Sequence, residues 1–198
     1  MAELPVLIQF AGAQSSGKTT LVNALKERAK VPYSIINEVP RDLLKGYTIK
    51  HLDIEATFLE QLIIQEEFLL ERYRVLGEAN PLILSCRSPI DVYSYANKLT
   101  YKSANTNLSG YVISAAEKYI QYTLNRKDVK VYTFYTEPLD EVTDDGVRNK
   151  ESNIIIDREI QSNLAKYKVP CVKIPKGKIE WRLAFIKAAV DKHNLFAF

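Results

Sequence analysis

The chain has 198 residues, 46% hydrophobic and 26% charged, with a net charge of +3. That balance fits a folded soluble protein rather than a disordered one, and no apolar run reaches the roughly 20 residues needed to span a bilayer. Cys86 and Cys171 are the only cysteines. A disulfide framework is therefore not expected, and a reducing cytoplasm is. The start, "MAELPVLIQF", lacks the basic region of a signal peptide. The mild positive charge permits anionic substrates without demanding nucleic acid.

In chain order, "VLIQFA" is a short apolar run that ends at Gly12, the pattern of a buried parallel strand. "KTTLVNALKERA" follows as a helix with Leu21, Val22 and Leu25 on one face. "YSIIN" reads as a second strand. A long helix is predicted over 53–76, with Ile54, Phe58, Leu62, Leu69 and Tyr73 near helical spacing. "PLILSC" is a third strand, and a helix starts near Pro89. Residues 110–125 read as helix, "VKVYTFYT" as the fourth strand and "PCVKIP" as the fifth. Ile179, Leu183, Ile186 and Val190 mark the final helix. Strands alternating with helices imply parallel crossovers, hence a three-layer α/β/α sandwich around a five-stranded parallel sheet in one domain over 1–198. The one long irregular stretch runs from 136 to 153, and a short lid is assigned to about 136–156. His51 and His193 have no evident ligand partner and are expected at the surface.

Between the first strand and first helix lies "GAQSSGKTT", which has the spacing G-x-x-x-x-G-K-T of a phosphate-binding loop in a P-loop NTPase fold. Gly12 and Gly17 let the backbone curl so that successive N–H groups point inward, and the following helix adds the positive end of its dipole. Gly12, Ala13, Gln14, Ser15, Ser16, Gly17, Lys18, Thr19 and Thr20 are thus the predicted nucleotide contacts. Lys18 would neutralise the β- and γ-phosphates of ATP, and the Thr19 hydroxyl would sit on Mg²⁺.

Four further segments, in order, give the chain its resemblance to P-loop nucleoside and nucleotide kinases, especially the deoxynucleoside kinases and the nicotinamide-riboside-kinase-like AAA-type group. They are "NEVPR", "QEEFLLER", "SCRSPIDVYSYA" and "DDGVRN". The resemblance implies Glu38 as the base toward a substrate hydroxyl, with Arg41 beside it. It implies that Gln65 reads a base edge, that Arg72 lies near the reacting end, and that Arg87 meets phosphate. Arg148 would belong to a lid that closes over the phosphates. Catalysis then falls to Lys18, Glu38, Arg87 and Arg148, and acceptor binding to Glu38, Arg41, Gln65, Arg72 and Arg87. Tyr93 and Tyr95 are read first as core, with a base pocket as the alternative.

The resemblance departs at one place. The family carries Asp or Glu before the arginine of the third segment, and this chain has Cys86, whose neutral thiol is a poor ligand for a hard cation. Three readings follow: Glu38 and Thr19 hold Mg²⁺ with waters, Asp91 reaches in, or catalysis is weakened. The first is favoured, because Mg²⁺ commonly keeps several waters. The expected activity is transfer of the ATP γ-phosphate to a (deoxy)nucleoside or nucleotide. Two rivals stand beside it. One is the same chemistry on a hydroxylated base within DNA such as 5-hydroxymethyluracil, for which the pairs Lys98/Lys102 and Lys166/Lys168 are the basic candidates. The other is a regulatory NTPase that is not a kinase. A homodimer is left open.

Overall fold

The computed structural model of the chain describes residues 3–36, 58–78, 80–100, 106–139 and 150–198. Its elements are β1 (Val6–Ala11), α1 (Lys18–Arg28), β2 (Tyr33–Ile36), α2 (Phe58–Leu76), β3 (Leu82–Ser85), α3 (Pro89–Thr100), α4 (Thr106–Asn125), β4 (Lys130–Thr136), α5 (Lys150–Lys166), β5 (Cys171–Ile174) and α6 (Ile179–Val190). A 3-10 turn over Asp191–His193 closes the last helix. All strand pairings are parallel, and the sheet order is β2-β3-β1-β4-β5. Among the described residues, no helix is long and apolar enough to cross a membrane.

The central strands β1 and β3 are buried along their whole length because both faces of the sheet are covered there. Val6, Ile8 and Phe10 of β1, Leu82 and Leu84 of β3, and Phe134 of β4 point to the layer of α1 and α6, where Leu21, Leu25, Leu183 and Ile186 meet them. Leu7 and Ala11, Ile83, and Tyr135 point the other way, into the layer of α2, α3, α4 and α5. The strand period of two separates the sets, and the three-layer α/β/α sandwich is the result. The five strands fall where the sequence puts them, each trimmed by at most two residues.

One row on the four-helix face breaks the apolar pattern. Ser85, Gln9 and Thr133 stand opposite one another across β3, β1 and β4. Gln9 Nε2 donates to Thr133 Oγ1 at 2.8 Å. Arg72, fully buried on α2, closes the row by donating to Gln9 Oε1, with longer contacts of 3.4 Å to Ser85 Oγ and the Arg87 carbonyl. Its guanidinium also lies 5.3 Å from the centroid of the Tyr119 ring on α4. Burial pulls its pKa down to about 10, against the opposing pull of Tyr119.

Residues 140–149 of the assigned lid lie outside the described residues. Four expectations are corrected. The irregular stretch does not run to 153, because α5 begins at Lys150. Its pattern hides the helix: Asn153, Asp157 and Asn163 are buried, whereas Ile154 and Ile155 face solvent. His193 is not at the surface either. It is buried, and its Nε2 meets the Tyr132 hydroxyl at 2.7 Å. On α2 the periodic apolar set was an imperfect guide, since Tyr73 is exposed while Arg72 one position earlier is not. The helix read from 110 starts four residues earlier, at Thr106.

The polar row makes Arg72 a structural strut whatever else it does. Arg72→Met, which keeps the bulk and removes the donors, is expected to lower unfolding free energy by about 2 kcal/mol through the unpaired Gln9 amide oxygen. A urea titration with an unchanged midpoint and slope would show that the row contributes nothing.

Candidate functional site

The carboxyl ends of β3, β1 and β4 lie side by side at the centre of the sheet, the place where parallel α/β sheets hold their ligands. From β1 the chain turns through Gly12–Gly17 into α1. Gly12 has φ +150°, and a Cβ there would sit 2.4 Å from the Thr136 carbonyl oxygen. Gly17, at φ +78°, is the N-cap of α1 and offers the helix no side-chain cap. No acidic residue stands in the first turn of α1. The leading N–H groups of this helix therefore keep both their hydrogen-bonding capacity and the positive end of the dipole for a ligand.

Other elements hold the loop from outside. Asp91, buried on α3, accepts the Gly12 N–H on Oδ1 at 3.0 Å. Its Oδ2 accepts the Ser88 N–H at 2.9 Å and the Ser88 hydroxyl at 2.5 Å. "SPID" is thus a capping box whose carboxylate also fastens the glycine loop. Burial pushes the Asp91 carboxyl upward, opposed by the Lys18 charge and by these hydrogen bonds. Ser16 Oγ pairs with Thr136 Oγ1 at 2.8 Å, and the Leu139 N–H donates to the Ser15 carbonyl at 3.0 Å. Lys18 Nζ donates to the Gly12 and Ala13 carbonyls at 2.7 and 2.6 Å and to Ser16 Oγ at 3.2 Å. Gln14 Oε1 and Ser15 Oγ are buried and find no hydrogen-bond partner among the described residues. A loop with a grouped ammonium, an uncapped helix start and orphaned polar atoms fits an anionic, oxygen-rich group such as a triphosphate.

Beside the loop, the tip of β3 carries Arg87. Its guanidinium carbon lies 5.6 Å from the Phe68 centroid on α2 and 5.3 Å from the Tyr95 centroid on α3. One turn before Phe68, Gln65 is 6% exposed, and its Oε1 has no partner. On α5, Asp157 Oδ2 accepts the Tyr135 hydroxyl at 2.9 Å and Gln161 Nε2 at 2.8 Å, while Oδ1 is unpartnered. Asn153 Nδ2, one turn earlier on the same helix, is also orphaned. Buried polar atoms of native proteins are overwhelmingly paired, so such atoms on α2 and α5 mark where a polar ligand would complete them.

The sequence-expected residues divide as follows. Gly12–Gly17 form the turn between β1 and α1, and Lys18, Thr19 and Thr20 lead α1. Arg87 lies against Phe68, the residue one turn after Gln65 on α2, whereas Arg72 is enclosed against Gln9 and Tyr119. Glu38, Arg41 and Arg148 lie outside the described residues, as does His51. Tyr95 goes to Arg87, but Tyr93 goes to Tyr167, 5.5 Å between centroids, and to Lys166 Nζ at 3.1 Å. Cys86 belongs to the apolar cluster on the α1/α6 side with Leu84, Ile8 and Phe134. Asp91 commits both oxygens to Gly12 and Ser88, and among the described residues no group of three or more His, Cys, Asp or Glu could hold a metal. Sequence reading missed Asn153, Asp157 and Arg182. The signal for the first two was a helix whose polar residues recur at i and i+4. Arg182 carried none.

The burial of Cys86 has a direct consequence. A carboxylate at that position would be desolvated among Leu84, Ile8 and Phe134. Cys86→Asp is expected to melt several degrees lower both with and without Mg²⁺-ATP, with no gain in metal affinity. A variant that melts normally and binds Mg²⁺ more tightly would mean that the thiol turns to the ligand side.

With the geometry in hand, the chain can be compared with known proteins. The family described as AAA domain matches residues 7–182. No curated protein matches the chain in sequence. Among solved structures, NadR protein in complex with NAD and AMP-PNP superposes with a TM-score of 0.70 at 18% identity, covering 98% of this chain and 51% of that one. The chain thus spans about half the length of the NadR protein. Thymidylate kinase from Candida albicans gives 0.65 at 12% identity, with 98% and 94% of the two chains covered. Deoxyadenosine kinase from M. mycoides with bound dCTP gives 0.59 at 13% identity, with 94% and 100% covered. Identities this low speak for a shared fold.

Proposed function

This chain belongs to the AAA domain family, and from that premise we propose that it is an ATP-dependent phosphotransferase whose acceptor is a nucleoside or nucleotide. The observation that carries the reading is the cluster beside the glycine loop. The Arg87 guanidinium lies against the rings of Phe68 and Tyr95, and Gln65, whose amide oxygen is unpaired among the described residues, stands one helical turn before Phe68 on α2. Flat apolar walls with one orphaned acceptor suit a ring with donors on its edge, and the cation suits the phosphoryl group. A site that only hydrolysed nucleotide has no use for such a wall. The NadR, thymidylate kinase and deoxyadenosine kinase structures of the same fold support the class of activity.

In this reading Gly12–Thr20 cradle the triphosphate. Lys18 exchanges the Gly12 and Ala13 carbonyls for β- and γ-phosphate oxygens, so it arrives already desolvated and close to its target. Thr19 and Glu38 would hold Mg²⁺ with waters and phosphate oxygens, and the ion supplies charge neutralisation between the phosphates. Glu38 takes the acceptor hydroxyl proton. Arg87 and Arg148 face the negative charge that spreads over the transferred group, and Arg41 helps to seat the acceptor. Arg72 acts through its neighbours, since it contacts the Arg87 carbonyl rather than open space.

Two rivals weigh differently. The regulatory NTPase gains from Cys86, because the tip of β3 brings no carboxylate toward the phosphates. DNA as acceptor gains nothing from Lys166, which is engaged with the rings of Tyr93 and Tyr167. Lys166 ends a 17-residue helix, about 25 Å from the end near the glycine loop.

An acceptor screen with γ-labelled ATP over nucleosides, monophosphates and plain or base-modified DNA tests the proposal. Label is expected on the nucleoside or monophosphate class. Lys18→Ala should cut transfer by about 100-fold or more while the protein stays folded. Gln65→Leu should raise the acceptor KM by roughly tenfold and leave the KM for ATP unchanged. Slow hydrolysis that no acceptor stimulates would favour the regulatory NTPase, and label on modified DNA alone would move the acceptor there.

A further inference from the structure

Arg182 has no place in the sequence motifs, yet it is the closest cation to the back of the glycine loop. It projects from the first turn of α6, is 3% exposed, and donates from Nη2 to the Ser16 carbonyl at 2.7 Å. Its Nη1 would lie 2.5 Å from a Cβ at Gly17. Its Nε is buried without a partner, and no carboxylate among the described residues pairs with it. Burial pulls its pKa below that of an ordinary guanidinium. A buried cation without a counter-ion is electrostatically incomplete, and the nearest place for an anion is the loop it touches.

The contact acts on a particular peptide group. The Ser16 carbonyl and the Gly17 N–H belong to the same peptide unit, which is trans, as are all the described peptides. In a trans peptide the C=O and N–H point in opposite directions. A cation that draws the Ser16 oxygen outward therefore turns the Gly17 N–H inward. The neighbouring Ser15 carbonyl is likewise drawn outward, by the Leu139 N–H. The positive charge at the oxygen end also polarises the peptide, which makes the N–H a stronger donor.

We propose that Arg182 is a positioning residue for nucleotide binding: it holds the Ser16–Gly17 peptide with its N–H aimed at the phosphates and contributes its charge through that peptide. The final helix is then part of the phosphate site, although it lies 166 residues from Ser16 in sequence. The inference rests on the glycine loop binding a polyphosphate and is independent of which acceptor is used. It also gives a second reason for glycine at 17. A side chain there would meet both a strained φ and the guanidinium.

The test uses the intact chain, calorimetric titration, and two Mg²⁺ complexes as probes, ATP and inorganic tripolyphosphate. Arg182→Met should weaken both by roughly tenfold, and Arg182→Lys, which keeps a charge and a donor, should restore most of the loss. A residue that merely props the core would lower the melting temperature and leave the two folded variants alike in affinity. Amide NMR of the unaltered protein adds a readout that needs no variant. The Gly17 N–H should move downfield and exchange more slowly when tripolyphosphate is added. Wild-type affinity in folded Arg182→Met overturns the proposal. So does a loss confined to ATP, which would assign Arg182 to the nucleoside half. If Arg182→Met does not fold, a Gly17 amide that ignores tripolyphosphate overturns it. Failure of the wild-type chain to bind either probe would sink the nucleotide reading itself.

Discussion

The stretch that turns from β1 into α1 cannot hold itself. Its two glycines bring no side chains, its N–H groups must stay available, and its conformation includes left-handed residues that a free chain does not keep. Its shape is therefore imposed by other elements. A carboxylate from α3 takes the Gly12 N–H, a hydroxyl at the end of β4 takes Ser16, the Leu139 N–H takes the Ser15 carbonyl, and a guanidinium from α6 takes the Ser16 carbonyl. Both helical layers contribute, so the sandwich must be assembled before the loop has its form. The opposite charges of Asp91 and Arg182 act on opposite ends of the loop, an acceptor at the first glycine and a donor just before the second.

This dependence explains what could be read from the chain and what could not. The strands were legible because both faces are apolar and each run ends at a turn, and the loop because its spacing is itself the chemistry. Helix α1 and helix α6 carry simple apolar stripes, and both were found. Helix α5 was not, since Asn153, Asp157 and Asn163 are buried beside its stripe of Ile156, Ile160 and Leu164 while Ile154 and Ile155 face solvent, which blurs the helical period. A pattern search takes such a helix for a loop. Gln65 and Arg72 pose the converse difficulty. They sit among charges in sequence and look solvated, but both are buried. Asp91 was weighed only as a residue reaching toward Mg²⁺, since its bond to Gly12 joins positions 79 residues apart that no local pattern connects.

The two layers also divide the labour. Around α1 and α6 the packing is almost wholly apolar, with Cys86 one more hydrophobic contact, and Arg182 is the exception that reaches the loop. Among the described residues, α2 and α5 of the other layer carry orphaned amide and carboxylate atoms, on Gln65, Asn153 and Asp157. Substitutions on the first side should be felt mainly as packing, those on the second as recognition. The shape of the glycine loop draws on both.

The row Ser85–Gln9–Thr133 gives the sheet something that apolar strands lack, a means of telling one alignment from another. Valines, leucines and isoleucines tolerate a sliding neighbour, because one buried methyl group replaces the next. A hydrogen-bonding side chain does not. Displacing any of these three strands by one residue swings its polar group to the opposite face, among Phe10, Phe134 and Leu84, and leaves the arginine on α2 facing apolar side chains. Misaligned sheets thus lose several buried bonds together, and the correct alignment is the one that carries the ends of β1, β3 and β4 to a common edge. The buried guanidinium works as the wards of a lock do: it decides which key turns.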